Sequence, residues 1–349
     1  MKEWCGWPVV DETTGWEQAQ KILADAELSD GLPLVPPTMR RLEAMVAGVD
    51  ARTESHGMMP PMFGDITPES VAYQCVIAGA LPAELPVVLM AAQAILEPDF
   101  NLLGIATTTG SACVALCVHG PLARKLGVNA GTNCIGPGTR ANACIGRALQ
   151  LCLRNIGGAR SETGDMATIG QPGKYTFCFA ERAEGPFPTL TERHGLGRDV
   201  DAITVMGVSG TAEVLPGDGE GATPEAILDP VVAAMRAEIV MSGQVRKNQR
   251  GEQVLLLPLE LAEKIARHDA WDLARVQRYL FDKGDGVASA PEAIHPIVTG
   301  GAGYKMAYLP IWGGGSQTVM RRMSSAAVSS VSSSLSAYFT RQRVSTSGV

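Results

Sequence analysis

The chain reads RANACIGRALQLCLRNIGG over residues 140–158. At about 100° per residue, four apolar positions fall on one side of a helix. They are Ile145, Leu149, Cys152 and Ile156. The paired Gly157 and Gly158 are residues that commonly end a helix. This stretch therefore predicts a helix over residues 140–156 that buries one side, with Cys152 as a small core residue.

Short apolar runs and helical patterns alternate on both sides of this helix. Strands are predicted at residues 102–106, 175–181, 203–208, 254–257 and 294–298. Helices are predicted at residues 15–26, 83–96, 226–240, 259–267 and 271–281. Thr67-Pro68-Glu69 predicts a further helix start, because it combines a Thr cap, a first-turn Pro and an early acid. Such alternation is typical of an α/β architecture, so we expect a mixed sheet with flanking helices.

The length is compatible with two lobes. Residues 157–173 are rich in glycine and polar residues, which marks a candidate boundary. We therefore expect an N-terminal α/β lobe over residues 1–160 and a C-terminal α/β lobe over residues 161–323. Ten of the last 26 residues are serine. This bias predicts a loosely ordered tail over residues 324–349 that takes no part in a site.

The composition argues against several functional classes. The 349 residues carry a net charge of −7 with 29 lysines and arginines, which disfavours nucleic acid as a partner. Eight cysteines are too few for a disulfide scaffold in so long a chain. Residues 1–10 lack the apolar run of a signal peptide, and two prolines and a glutamate interrupt the apolar stretch at residues 71–96. We therefore expect a reduced, cytoplasmic protein without a membrane span.

A second stripe of the 140–156 helix carries charge beside a thiol. Its members fall within about 80° of one another: Arg140, Cys144, Arg147 and Arg154. Because guanidinium groups stabilise a thiolate, we expect the pKa of Cys144 to be lowered. The alternative interpretation is a solvated arginine face that happens to carry a cysteine.

The loop before the helix reads GTNCIGPGTR over residues 131–140. Its glycines bring free backbone N–H groups to a helix start, which favours an anion site. The alternative is a tight turn with Thr139 as the helix cap. The loop matches neither the Gly-Lys-Ser/Thr phosphate loop nor the dinucleotide fingerprint, so neither ATP nor NAD is indicated.

The run TTTGSAC over residues 107–113 follows a predicted strand end, where α/β sheets commonly bind ligands. The hydroxyls of Thr107, Thr108 and Thr109 are candidate substrate contacts. Cys113, after two small residues, is the best candidate for a nucleophilic or redox thiol.

Cys117 and His119 lie a few residues further on. In a helix, Cys113 and Cys117 would share a face and could bind a soft metal or form a reversible disulfide. In a strand they would share a face but lie too far apart to bridge. Core packing is the alternative for Cys117. No second Cys/His pair completes a zinc spacing, and no Ser-His-Asp set is readable from the spacing.

The motif GQPGKYT over residues 170–176 precedes a predicted strand that ends at Glu181. Lys174 is a candidate partner for an anionic substrate, and Glu181 is a candidate acid or base. The alternative is a turn lysine and a solvated acid at a strand end.

Several motifs together resemble a family of largely uncharacterised bacterial proteins. They are DGLPLVPPT (30–38), NLLG (101–104), HGP (119–121), GPGTRAN (136–142), NIGG (155–158), GQPGKYT (170–176), GGAG (300–303) and WGGGS (312–316). The resemblance spans roughly residues 15–323. These relatives are associated with small selenocysteine- or cysteine-containing proteins that bear a U/C-Gly-Ser-Cys (UGSC-type) motif. The resemblance implies thiol or selenol chemistry with a partner subunit.

The chain departs from this pattern at its thiols. Many relatives lack cysteine at the positions of Cys113 and Cys144, which weakens both as shared catalysts. The polar residues match better: Arg140, Asn142, Arg147, Gln171 and Lys174. The resemblance therefore favours an anion pocket first and a thiol centre second.

Together these patterns predict an enzyme, a thiol-dependent oxidoreductase or lyase, that acts on a small anionic organic substrate. Arg140, Arg147 and Lys174 would hold the substrate, and Asn142 and Gln171 would orient it. Cys113 would supply the thiol, with Cys144 and Glu181 as further catalytic candidates.

Two alternatives stay open. One is a non-catalytic subunit that binds an anion or a soft metal for a thiol or selenol partner. The other is a metal-dependent lyase or hydratase that uses His119 with cysteines. Apart from such a metal, no cofactor is predicted, and we expect a homo-oligomer.

Overall fold

The computed structural model describes the backbone at residues 2–217, 222–241 and 251–346 and the side chains at residues 2–217, 222–237 and 251–336. Over these residues the chain has an α/β fold with open, mixed sheets. The fold class predicted from the alternation of strands and helices is confirmed.

Twelve strands and twelve helices are described. The strands are β1 (Glu3–Trp4), β2 (Trp7–Pro8), β3 (Met58–Met59), β4 (Gly64–Asp65), β5 (Cys113–His119), β6 (Cys178–Ala180), β7 (Ala202–Val208), β8 (Ala212–Val214), β9 (Gln253–Leu257), β10 (Ile294–Val298), β11 (Met306–Pro310) and β12 (Val319–Arg322). The helices are α1 (Trp16–Asp25), α2 (Met39–Met45), α3 (Pro68–Ala78), α4 (Leu85–Ala94), α5 (Leu102–Thr107), α6 (Pro121–Leu126), α7 (Arg140–Asn155), α8 (Leu190–Arg193), α9 (Pro224–Met241), α10 (Leu259–Ala266), α11 (Leu273–Lys283) and α12 (Ser325–Thr346).

Two four-stranded sheets form the centre of the molecule. The first sheet has the order β12-β7-β5-β6, with β5 parallel to β6 and antiparallel to β7. The second sheet has the order β10-β9-β11-β8, with β9 parallel to β10 and antiparallel to β11. Both sheets are therefore mixed.

The two sheets pack face to face. Alternation along β5 directs Cys113, Ala115 and Cys117 into a core that also contains Leu256 and Leu309 of the second sheet. Both thiols are free, as expected for residues about 13 Å apart along a strand. The extended alternative for these cysteines is the one that the structure adopts.

Helices cover the outer face of each sheet. Helices α3, α4 and α7 form one hydrophobic core with the first sheet, and α9, α10 and α11 form another with the second sheet. The result is a helix–sheet–sheet–helix arrangement with three cores.

Helix α7 packs closely against the first sheet. Ile145 and Cys152 on its predicted apolar side are buried. At Gly146 a Cβ atom would lie 2.4 Å from Thr176 Oγ1, so glycine allows the helix to approach the chain that leads into β6. Thr139 makes no side-chain capping bond, contrary to the alternative that gave it that role.

The prediction of a strand at residues 102–106 is wrong, because this stretch is α5. The side chain of Asn101 accepts a hydrogen bond from Gly104 N and so caps the helix. A short apolar run does not distinguish a buried strand from a buried helix. Strands β1 to β5, β8, β11 and β12 have no counterpart among the predicted strands.

The predicted boundary at residue 160 does not separate two domains. It falls between β5 and β6, which pair with each other in the first sheet. Strands from both sides of residue 160 therefore share one sheet.

The expectation of a loosely ordered tail is also corrected. Residues 325–346 form α12. Val331 is buried, and Val328 and Leu335 pack against the core around the first sheet. Their spacing of three and four residues places them on one face of a helix, which outweighs the serine-rich composition.

Within the described ranges, no single helix has both the length and the apolar character needed to cross a membrane. One consecutive pair, Pro82–Ala94 with Pro98–Thr107, meets those criteria only jointly, across a bend of 78°.

Candidate functional site

A cavity of about 1120 Å³ lies beside the C-terminal half of α7. Its walls come from five parts of the chain: α5, residues 112–113, the second half of α7, residues 24–31, and residues 159–175. We call the last of these the covering segment. Because a cavity of this size can enclose most of a small organic molecule, it is the candidate site.

Two predicted site residues hold the covering segment in place. Lys174 Nζ lies 2.7 and 2.6 Å from the two carboxylate oxygens of Asp165. Gln171 Nε2 donates to Ser111 O and, at 2.9 Å, to Val208 O. Both residues line the cavity, but Gln171 anchors the segment to the first sheet and Lys174 closes a pair within the segment.

Cys113 lines the same cavity but is only 2% exposed. The turn at Gly173 covers it so closely that a Cβ atom on Gly173 would lie 2.7 Å from Cys113 Sγ. Burial raises the pKa of the Cys113 thiol to about 12, against the opposing effect of the Lys174 ammonium group. The thiol is therefore protonated at neutral pH while the turn stays closed.

Arg154 contributes a guanidinium group to the cavity. Its Nε donates to Ser29 O at 2.9 Å and its Nη2 donates to Glu27 O at 3.4 Å. Burial, and then the neighbouring Arg160, lower the pKa of Arg154. Within the described ranges, no carboxylate lies within ion-pair distance of Arg154, so its charge is balanced by backbone carbonyls and longer-range interactions.

Several other charged residues of the cavity are paired. Arg160 Nη1 lies 2.5 Å from Glu27 Oε2. Asp30 binds Arg147 through two hydrogen bonds of 2.8 Å, from Nε and Nη2. Arg147 also donates to Pro33 O at 3.1 Å. Thus Asp30 faces the cavity while its arginine partner lies behind it.

Arg140 lies at the other end of α7, where it binds Glu84 instead of facing the cavity. Its Nη1 and Nη2 lie 3.0 and 2.5 Å from the Glu84 carboxylate oxygens, and the Glu84 side chain is only 1% exposed. Leu81 N also donates to Glu84 at 2.8 Å. The bidentate pair neutralises the guanidinium, so the structure gives Arg140 an internal partner.

The prediction of a lowered pKa at Cys144 is wrong. Burial raises the pKa of this thiol, and Glu84 adds to the effect, whereas Arg140 and Arg147 oppose it. The arginines are already paired with carboxylates, which weakens their effect on the thiol. Cys144 also lies outside the cavity lining.

Asn142 organises the loop before α7. Its Oδ1 accepts from Asn129 N at 2.7 Å, and its Nδ2 donates to Asn129 O at 3.2 Å and to Cys134 O at 2.9 Å. With all three bonds internal and the side chain buried, Asn142 is held within the protein. The expectation that it orients a substrate in the same pocket as Lys174 is not met.

The three threonines of residues 107–109 bond to nearby backbone. Thr107 Oγ1 donates to Leu103 O at 2.7 Å, and Thr108 Oγ1 accepts from Gly110 N at 3.0 Å. Thr109 O accepts from Thr168 N at 2.9 Å, which ties the loop to the covering segment. In the described part of the chain, the lining on this side comes from Ile105, Ala106 and Ala112 instead.

A second polar cluster, absent from the sequence predictions, lies between the two sheets. His119 Nε2 is 2.8 Å from Thr204 Oγ1, and His119 Nδ1 is 2.9 Å from Glu181 Oε2. The Glu181 carboxylate also accepts two 3.0 Å bonds from Leu190 N. Adjacent strands bring these residues together, which their positions in the sequence do not reveal.

This hydroxyl–imidazole–carboxylate order resembles a hydrolytic triad, but the cluster is buried. Thr204, His119 and Glu181 are all in the core, and the neighbouring pocket holds only about 10 Å³. A substrate group cannot reach the Thr204 hydroxyl in so small a space. The geometry therefore gives Glu181 a bonding role between β5, β6 and β7, away from the cavity.

The arrangement does not favour the metal-dependent alternative. Among the residues that the structure describes, no group of three or more His, Cys, Asp and Glu side chains is placed to hold a metal ion. Cys117 Sγ is 4.0 Å from His119 Nδ1, and the same nitrogen is bonded to Glu181.

Arg154 is the cavity residue that the sequence predictions leave out of the site. Its position on the arginine stripe of the 140–156 helix was a usable signal, but nothing in that stripe separates it from Arg140 and Arg147. The difference lies in partners from distant parts of the chain, Glu84 and Asp30.

Comparison with known proteins adds no further identity. No family model matches the chain. No curated protein matches it either. The function is therefore inferred from the cavity and its side chains.

Proposed function

We propose that the protein binds a small organic anion in the cavity and that the thiol of Cys113 acts on it. One observation carries this proposal. The cavity gathers Cys113, Gln171 and Lys174, which come from two separate sequence motifs, together with the guanidinium of Arg154.

The guanidinium of Arg154 supports an anionic ligand. It now bonds backbone carbonyls of residues 27 and 29, which are neutral acceptors. A carboxylate or sulfonate would replace one of these neutral acceptors with an ionised one, which adds charge–charge attraction to the hydrogen bond. Because the group is partly buried, water screens this attraction less than at an open surface.

The step at Cys113 begins with transfer of the thiol proton to water that enters when the turn at Gly173 opens, because the thiolate is the nucleophile. Burial is the main cause of the raised pKa, so opening of the turn at Gly173 both exposes the sulfur and lowers its pKa. The ammonium group of Lys174 favours the thiolate. The cavity ligand is then adjacent to the activated sulfur.

A second candidate function is non-catalytic binding, and one observation favours it. The turn at Gly173 covers Cys113, and the thiol stays protonated at neutral pH. In this case the protein presents the bound anion to a separate thiol or selenol protein, which carries out the chemistry.

A thermal-shift screen tests the binding proposal. The full chain is heated with carboxylates, sulfonates and phosphates, and a ligand that binds the folded state raises Tm. At a concentration 100 times its Kd, a ligand stabilises the fold by about 2.7 kcal/mol. Arg154→Met should remove the shift, whereas Arg124→Met, at an exposed position of α6 outside the cavity lining, should keep it. If no anion raises Tm, the binding proposal is wrong.

A second experiment separates the two candidates. Each binder is incubated with the protein, and its conversion is followed by NMR with and without an added thiol reductant. Conversion by the wild type but not by Cys113→Ser supports the catalytic function. Binding with equal affinity in both proteins and no conversion in either supports the non-catalytic one.

A further inference from the structure

The charges around the cavity point to a narrower ligand class. Building on the anion-binding function proposed above, we infer that the ligand carries one negative charge on an apolar body and that Arg154 determines this preference.

The first step is the charge inventory of the cavity. Two of its cations are already paired within the protein, Lys174 with Asp165 and Arg160 with Glu27. Asp30 is paired with Arg147. In the part of the chain that the structure describes, Arg154 is the cavity cation left without a carboxylate partner. A ligand with one negative charge can therefore pair with Arg154 without separating an internal ion pair.

A second negative charge on the ligand would find no free cation in the described part of the cavity. Such a charge would have to separate an internal pair, as at Lys174, where both oxygens of Asp165 lie within 2.7 Å of Nζ. It would also meet Glu162, an exposed carboxylate that lines the cavity. Dicarboxylates and phosphate are therefore disfavoured relative to monocarboxylates.

The third step concerns the rest of the ligand. Ile105 of α5 and Leu151 and Leu153 of α7 also line the cavity, but they are almost fully buried in the core. In the covering segment, Met166 and Ile169 line the cavity and are exposed, and the relative accessibility of Ile169 is 93%. An alkyl or aryl body would bury these apolar side chains on binding. Affinity should therefore rise with the length of the body.

Isothermal titration of the full chain with matched acids tests the inference. The monocarboxylates are acetate, butyrate, hexanoate and octanoate; the dicarboxylate control is suberate, which has the same eight carbons as octanoate. Inorganic phosphate is titrated separately. We expect Kd to fall about two- to fourfold for each added methylene. Octanoate should bind with a one-to-one stoichiometry and at least about tenfold more tightly than suberate, which corresponds to about 1.4 kcal/mol.

The variants assign the preference to one residue. Arg154→Met should weaken octanoate binding at least about tenfold, and Arg154→Lys, which keeps the charge but not the planar fork, should weaken it less. Arg124→Met should bind like the wild type. Circular dichroism melting of each variant shows whether it is folded, and Arg154→Lys keeps the test valid if Arg154→Met does not fold.

The outcomes distinguish failure of the single-charge inference from failure of the proposed anion-binding function. Suberate or phosphate that binds as tightly as octanoate, and loses affinity in Arg154→Met, overturns the single-charge inference but leaves anion binding intact. Octanoate binding that Arg154→Met and Arg154→Lys both leave unchanged overturns the role of Arg154. If neither these acids nor phosphate bind, the proposed function fails with the inference.

Discussion

The two halves of α7 carry similar residues but differ in how those residues are used. In the first half, Arg140 and Arg147 bind Glu84 and Asp30 through bidentate ion pairs. In the second half, Arg154 bonds backbone carbonyls and faces the cavity. An arginine of α7 is therefore part of the scaffold where a carboxylate pairs with it. It is available to a ligand where no carboxylate does.

The thiol beside the paired arginines of α7 and the thiol in the cavity wall also differ. Cys144 sits among the paired arginines, whereas Cys113 lies in the cavity wall beneath the turn at Gly173. Burial raises the pKa of both. An arginine stripe therefore does not activate a thiol when its charges are neutralised and the sulfur is buried.

The largest expected effect concerns alkylation of Cys113. With its pKa raised from 9.0 to about 12, the thiolate fraction at pH 8 falls about a thousandfold below that of the unfolded chain. Iodoacetamide labelling, followed by peptide mass spectrometry, should therefore be at least that much slower in the folded protein than in urea. The rate should rise about tenfold per pH unit up to pH 11. A plateau near pH 9 would contradict the raised pKa.

The sign of the linked stability follows from the same shift. The folded-state pKa lies above the unfolded-state pKa, so the unfolded chain loses this proton first as the pH rises. The contribution of Cys113 is fully present below about pH 9 and is lost as pH rises from about 9 towards 12. Cys113→Ser should reduce this pH dependence of the urea midpoint.

Arg147→Met should cause the largest loss of stability. The side chains of Arg147 and Asp30 are 14% and 13% exposed, so the variant leaves a largely buried carboxylate without its partner. Breaking such a pair costs about 3 kcal/mol of unfolding free energy, measurable by urea denaturation. A loss below about 0.5 kcal/mol, the range of ordinary surface substitutions, would show that the pair does not support the scaffold.

Arg140→Met should cost less, about 2 kcal/mol. Glu84 is buried, but Arg140 is 45% exposed and water can partly replace it. Octanoate titration of this variant should match the wild type, because Arg140 lies outside the cavity lining. Weaker ligand binding without loss of stability would reverse the comparison between the two halves of α7.

Arg154→Met should have the smallest effect on stability, about 1.5 kcal/mol, because it removes hydrogen bonds to neutral carbonyls and leaves no buried carboxylate without its partner. The urea midpoint should therefore change less than in Arg147→Met, while ligand affinity changes more. A midpoint loss equal to that of Arg147→Met would place Arg154 in the scaffold as well.

Part of the fold could be predicted from local patterns. The capping signal at Thr67 gives the start of α3, where Thr67 and Ser70 form a reciprocal capping box. The apolar stripe gives α7 and the burial of Cys152. The stretch at residues 102–106 was predicted wrongly as a strand. Its apolar run fits a strand or a helix, and the cap from Asn101 favours the helix.

The candidate site was less predictable than the fold. Cys113, Gln171 and Lys174 were identified from motifs, and the cavity places all three in its lining. Their partners could not be found in this way: Asp165 for Lys174, and Ser111 and Val208 for Gln171. A motif shows which side chains can carry charge or hydrogen bonds, but the partner comes from another part of the chain.

The sequence by itself determined the α/β class, the helix that carries the arginine stripe and the residue types available to a site. These follow from local periodicity and capping, which act over a few residues. The tertiary structure alone decided that Glu84 and Asp30 neutralise two of the arginines, that Arg154 faces a cavity and that Cys113 lies under a turn. The physical reason is that charge pairing and desolvation depend on groups far apart in sequence, which only packing brings within a few ångströms.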